Sequence, residues 1–186
     1  MAATESTMLP LGTPLPPFSL PDVVHAKAVA PADLKGHAGV LVMFICNHCP
    51  YVVHIRQELV KVAHEALHQG FSVVAVNANS VKTHPQDGPA HMKELAVSEQ
   101  WRFPFLYDES QEVAKAFKAA CTPDLFLFDA DRKLAYRGQF DDSGPSNGKP
   151  VTGRDLREAI TTVAKGQKPG PDQRASIGCN IKWHPA

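Results

Sequence analysis

The spacing of hydrophobic positions changes several times along the chain, and each change marks an element. Residues 40–45, VLVMFI, are apolar at every position. A strand covered on both faces has this pattern, as in a parallel sheet lying between helices. Over residues 51–69 the period becomes helical. Val52, Ile55, Leu59, Val62, Ala63 and Ala66 share one stripe, while Arg56, Glu58, Lys61 and Glu65 mostly turn elsewhere. Gly70 stands where a left-handed helix cap is expected. Residues 71–76 form a second β-branched run, so the unit predicts a right-handed crossover between parallel strands.

A polar loop over residues 77–88 follows. The pattern then predicts a helix over 89–99, with Pro89 suited to its first turn. A short extended segment at 103–107 precedes a helix over 110–119, capped by Ser110 or Asp108. Residues 125–128 and 133–138 read as antiparallel strands about a tight turn at 129–132, and 152–165 as a last helix. Upstream, residues 18–20 and 28–29 are candidates for short strands. Residues 1–17 read as an irregular arm, 18–165 as one domain, and 166–186 as a tail packed on it. The class implied is α/β, a central mixed sheet with helices on both faces.

Composition narrows the function. With 186 residues and 44% hydrophobic content, one substantial core can be buried. Lysine plus arginine equals aspartate plus glutamate at 19 each, and no basic stripe stands out, so neither nucleic acid nor an anionic membrane is an expected partner. The longest apolar run is too short to span a bilayer. The first eleven residues show no basic segment leading into an apolar one, and the location expected is cytoplasmic. Four cysteines are too few for a disulfide scaffold. In that compartment a cysteine pair points to catalysis or metal binding.

That pair is Cys46 and Cys49, in the segment Phe44-Ile45-Cys46-Asn47-His48-Cys49-Pro50. It lies where an apolar strand gives way to an amphipathic helix, whose free N–H groups and partial positive charge stabilise a thiolate. Cys46, nearer the free helix end, is expected to be the more exposed attacking thiolate. Cys49, within the first turn, is expected to resolve the mixed disulfide. His48 between them either tunes the pair or is a solvent-exposed loop residue. Pro50 has no N–H to offer and suits the first turn. Zinc is the competing use of the pair, with Cys121, Cys179, His48 or His54 as further ligands; no second Cys-x-x-Cys supports it, and no metal is expected. Further along, Pro123 in Cys121-Thr122-Pro123-Asp124 either begins a strand passively or forms a cis peptide that shapes a site.

These segments together resemble the thioredoxin superfamily. More narrowly, they are similar to its alkyl hydroperoxide reductase/thiol-specific antioxidant branch, with redoxin and TlpA-like relatives. The likeness rests on the Cys-x-x-Cys turn, on the Pro-Pro-Phe-Ser-Leu segment starting at Pro16, and on Phe103-Pro104-Phe105-Leu106-Tyr107-Asp108-Glu109. It extends over nearly the whole chain to a group of bacterial proteins alike in CNHCPYV, CTPDLFLFD, YRGQFDDS and SIGCNIKW. The resemblance implies a thioredoxin-like fold, Cys46 as nucleophile, Cys49 as resolving thiol, and Pro123 as a cis-proline facing them. Thr122 would offer backbone hydrogen bonds to a substrate strand, and Asn47, His48 and Pro50 would support the dithiol. It also implies protein disulfide substrates, a reductant such as a thioredoxin or glutathione system, and no cofactor beyond a redox-active Cys46–Cys49 disulfide.

Departures are informative. Where peroxiredoxins carry a proline and a threonine ahead of the peroxidatic cysteine, this chain has Val40 and Met43, so a peroxidase is only an alternative. Where thioredoxin has a buried aspartate and a tryptophan, it has Val40 and Ile45, which leaves the base unassigned. Cys121 and Cys179 are open as additional redox thiols, paired with each other or acting as buried filler. Arg137 is expected to decorate an edge strand, Trp101 and Trp183 to anchor packing, and Asp141-Asp142-Ser143 to make a turn. Asn77 and Asn79 fall at the carboxyl end of a parallel strand, the functional edge of such sheets.

Overall fold

A computed structural model describes residues 3–186. Its centre is β4 (Gly39–Phe44), the apolar run identified above, with every residue buried. The run lacks alternation because both faces are covered. Leu41 and Met43 enter the core beneath α1 (Pro50–His68). Val40, Val42 and Phe44 enter a second core on the opposite face, where Phe44 meets Phe117 edge-on at 5.2 Å.

Strands β1 (Ala3–Glu5), β2 (Leu20–Asp22) and β3 (Lys27–Val29) precede β4. After α1 come β5 (Phe71–Asn77), α2 (Pro89–Ser98), β6 (Phe105–Tyr107) and α3 (Glu112–Ala116). The chain closes with β7 (Cys121–Thr122), β8 (Asp124–Phe128), β9 (Leu134–Tyr136), α4 (Arg154–Ala164) and β10 (Ile177–Asn180). Seven strands make a mixed sheet in the order β3-β2-β6-β5-β4-β8-β9, and three make a small sheet in the order β1-β10-β7. β4 runs parallel to β5 and antiparallel to β8. Only Pro123, after a cis Thr122–Pro123 bond, separates β7 in one sheet from β8 in the other.

The expected apolar stripe of α1 is the one buried, and Gly70 adopts φ +92 just beyond its end. The β8–β9 hairpin is antiparallel as expected. Other features differ. The arm carries β1, which pairs with β10 in register Ala3↔Cys179; three residues without a pattern give no sequence signal. Helix α3 spans only Glu112–Ala116 because Gln111, at φ +65, takes the cap position. Asp108 still contributes by accepting the Ala114 N–H at 2.8 Å. Trp101 packs on Phe103 and Phe105, but Trp183 is 41% exposed and is not the buried anchor expected. Arg137 directly follows β9, the edge strand of the large sheet, but it is not a free decoration. Its guanidinium donates to Leu9 O and Gln173 Oε1, tying arm to tail. Asp141 makes the expected turn, accepting the N–H groups of Ser143, Thr152 and Gly153.

Candidate active site

The segment holding the dithiol leaves β4 still in register with the sheet, since the Ile45 N–H donates to Val76 O at 3.0 Å. Cys49 then takes the N-cap position of α1, with Pro50 as first helical residue. The second cysteine thus caps the helix instead of lying within its first turn. Both sulfurs face the cis-proline loop. Cys46 Sγ lies 3.6 Å from Thr122 Oγ1, and the Cys49 thiol donates to Thr122 O at 3.2 Å. The two thiols lie in the same buried core cluster. Cys46, Cys49, Thr122 and Pro123 are therefore brought together as the resemblance implied.

The expected exposure of Cys46 is not found. It is 1% exposed and Cys49 0%, because β7 and the Thr122 side chain close over the pair. Charge is distributed differently from expectation as well. The S–H of Cys46, donated to Cys49, lowers the Cys49 thiol to about 4 against the opposing effect of burial, with Cys179, Thr122 and the Val52 N–H adding to the effect. The same hydrogen bond, together with burial and the nearby Asp87 carboxylate, pushes Cys46 far up. The two thiols titrate as a pair, with Cys49 lowered and Cys46 raised.

Asp87, which no sequence pattern singled out, organises the other side of the site. It is fully buried. Its Oδ1 accepts the Asn47 and His48 N–H groups at 3.0 and 3.2 Å. Its Oδ2 meets His48 Nδ1 at 2.5 Å and Asn79 Nδ2 at 3.0 Å. Asn77 Nδ2 donates to the Asp87 carbonyl at 2.6 Å. A buried carboxylate requires such a set of donors, and this one clamps the turn between the two cysteines to the loop after β5. Asn77 and Asn79 thus act at the functional edge by holding Asp87. The only available hint was position, an acid between Pro85 and Gly88 in the loop that follows a parallel strand.

His48 is neither free in solvent nor aimed at one sulfur alone. Its Nδ1 faces Asp87 and lies 4.0 Å from Cys46 Sγ, its Nε2 is buried without a partner, and its ring stacks on His84 at 4.9 Å. His54 instead reaches Ser143, away from the cysteines. Among the described residues, one group could hold a cation: Cys46, His48 and Asp87, whose ligand atoms lie within 4.8 Å of one another. The remaining cysteines separate. Cys179 packs in the same core cluster as Cys46 and Cys49, whereas Cys121 points to Pro123 O and Ser176 O, and burial raises its thiol well above the ordinary range.

Comparison with known proteins places this geometry. The family model described as AhpC/TSA family matches residues 11–137. The chain belongs to the AhpC/TSA family. Among solved structures it is similar to an uncharacterized conserved protein from Geobacillus kaustophilus, with 49% identity, a TM-score of 0.97 and coverage of 100% of this chain and 98% of that one. It is also similar to a hypothetical protein from Sinorhizobium meliloti 1021, at 46% identity and a TM-score of 0.95, covering 98% and 100%. A putative thioredoxin from Neisseria meningitidis matches at 26% identity and a TM-score of 0.61, covering 81% and 89%. No curated protein matches the chain. The fold is thioredoxin-like, and this AhpC/TSA chain is of the redox class in general terms. No described helix is long and apolar enough to cross a membrane.

Proposed function

We propose that this AhpC/TSA protein is a thiol–disulfide oxidoreductase whose working pair is Cys46 and Cys49. The observation that supports this most is the pairing itself: two buried thiols at the N-terminus of α1, both held against Thr122 beside the cis-proline. In the reaction a thiolate attacks one sulfur of a substrate disulfide and releases the first substrate thiol. The second cysteine then attacks the mixed disulfide, leaving a Cys46–Cys49 disulfide and a fully reduced substrate. Because the two adjacent thiols titrate as a pair, the proton that Cys46 gives up on attack can be held by Cys49. No bound cofactor is required. The partners proposed are protein disulfides and a thioredoxin or glutathione system, in the cytoplasm.

Reduction of insulin disulfides by the full chain, with dithiothreitol as electron donor, tests this reading. The wild type is expected to accelerate the reaction, and Cys46→Ser and Cys49→Ser each to abolish the acceleration. Full activity in Cys46→Ser overturns the assignment.

A zinc- or copper-binding module is the second reading, supported by the cluster of Cys46, His48 and Asp87. Against it, both Asp87 oxygens already accept protein donors, so an ion must displace some of them. Elemental analysis decides: stoichiometric metal that disappears in Cys46→Ser favours this second reading. Peroxiredoxin-type peroxide reduction is not proposed, since Val40 and Met43 are fully buried apolar residues of β4.

A further inference from the structure

The backbone edge of Thr122, which the family resemblance reserves for a substrate strand, is occupied by this chain's own tail. β10 pairs antiparallel with β7 in register Cys179↔Thr122 and Asn180↔Cys121. Directly opposed residues of an antiparallel pair project to the same face. Cys179 therefore shares the face of Thr122, whose carbonyl and hydroxyl meet Cys49 and Cys46. Cys121 lies on the other face with Asn180, so a Cys121–Cys179 disulfide would require backbone movement. Cys46, Cys49 and Cys179 are buried in one core cluster, with Cys49 close enough to both others to raise their thiols.

The sequence builds this approach deliberately close. A Cβ at residue 178 would fall 2.0 Å from Thr122 O and 3.1 Å from Pro123 N, so only glycine lets the tail lie flush on the loop. Beyond β10 the tail is tied back to the active loop. The Lys182 N–H donates to Asn79 Oδ1, and Asn79 in turn holds Asp87. The Lys182 carbonyl accepts from the Ser80 N–H and from Gln111 Nε2. A cysteine serving only as filler would need none of this.

We propose that Cys179 is a third redox residue, which takes the disulfide over from the Cys46–Cys49 pair by bonding to Cys49. The step rests on the dithiol reading above. Once a substrate disulfide has oxidised the pair, the Cys179 thiolate attacks Cys49 Sγ. The Cys49–Cys179 bond forms, the Cys46–Cys49 bond breaks, and Cys46 departs with the electron pair, taking up the proton that Cys179 lost. No net oxidation occurs, and the protein stays oxidised by two electrons while Cys46 is again a free thiol. The tail strand acts as a built-in substrate, seated where an external one would bind.

The test is disulfide mapping of the full-length protein. It is oxidised with oxidised dithiothreitol, quenched in acid, labelled with N-ethylmaleimide, digested without reduction and analysed by mass spectrometry. The expected result is a Cys49–Cys179 linked peptide beside the Cys46–Cys49 product, with Cys179 losing its maleimide label on oxidation. In Cys46→Ser the Cys49–Cys179 peptide becomes the main product, and Cys121→Ser leaves the pattern unchanged. If Cys46–Cys49 forms and Cys179 remains fully labelled in the wild type, this inference is overturned and the dithiol reading survives. If neither disulfide forms, both fall. The wild-type measurement decides even where a variant fails to fold.

Discussion

At the scale of single residues, two buried carboxylates do opposite kinds of work. Asp87 satisfies donors that nothing else in the site can reach. In Asp87→Ala the Asn47 and His48 N–H groups and the Asn79 amide lose their acceptor in a dry environment, at about 1–3 kcal/mol for each group left unmet. A loss of several kcal/mol in urea unfolding is expected, together with loosening of the turn between the cysteines. Asp87→Asn keeps the shape and removes the charge that opposes ionisation of Cys46. Alkylation of Cys46 by iodoacetamide is then expected to begin at lower pH than in the wild type; an unchanged pH profile would show that this charge does not govern the thiol. Asp124, beside Pro123, is the under-supplied case. Burial raises its carboxyl to about 6, with one oxygen bonded to the Ala120 N–H and the other unpartnered. Unfolded aspartate titrates near 3.9, so between about 4 and 6 the native state holds a proton that the unfolded chain has released. This group's contribution to stability is present at pH 4 and falls by ~1.4 kcal/mol per pH unit as pH rises to about 6. Asp124→Asn removes that slope. Relative to wild type it should gain about 2–3 kcal/mol between pH 4 and pH 7, read from urea midpoints at the two pH values; parallel profiles for the two proteins exclude the effect.

At the scale of elements, legibility in the sequence followed the strength of the local pattern. β4, α1 and β5 are long and strictly periodic, so their positions and their parallel pairing could be read before any coordinates. Even the six buried positions of α1 are the expected ones. The cysteine pair was readable because it sits at the junction of two such elements. β1, β7 and β10 are two to four residues long and exist through mutual pairing, which a one-dimensional pattern does not show. For the same reason the sequence leaves Cys179 open between redox thiol and filler although it packs with Cys49 in space, and Asp87 looks like any loop acid until the loop folds over His48. The small sheet can be perturbed by itself. Gly178→Val places a side chain where the Thr122 carbonyl already lies, so β10 should lift from β7 while the seven-stranded sheet persists. Native-state maleimide labelling is then expected to reach Cys179 at least ~10-fold faster than in the wild type, the factor that ~1.4 kcal/mol of lost closure gives. Equal labelling rates would mean that the tail is not held by this contact.

For the molecule as a whole, the joint between the two sheets couples fold to redox chemistry. The large sheet supplies β4 and the N-terminus of α1, the small sheet supplies the strand that covers them, and the dithiol is sealed between the two. Burial without compensation would keep both thiols protonated. Here the S–H of Cys46 lowers Cys49 to about 4 against burial, with Cys179, Thr122 and the Val52 N–H adding to the effect, while Cys46 is pushed up. With Cys49 lowered and Cys46 raised, the reduced pair is expected to carry one proton across the neutral range, where a free dithiol carries two. Reduction of the disulfide then takes up two electrons and a single proton. For a two-electron couple a tenfold change in one reactant shifts the potential by 29.6 mV. The midpoint potential of Cys46–Cys49 is accordingly expected to fall by ~30 mV per pH unit between about pH 5 and 8, half the ~59 mV per pH unit of a couple that takes up two protons. Equilibration of the full chain against glutathione buffers of known ratio, repeated at several pH values, reads this slope directly. A slope of ~59 mV per pH unit would place both protons on the sulfurs at neutral pH. Cys46 would then have no ionised neighbour to take its proton, and the sealed arrangement would be a store for two inert thiols.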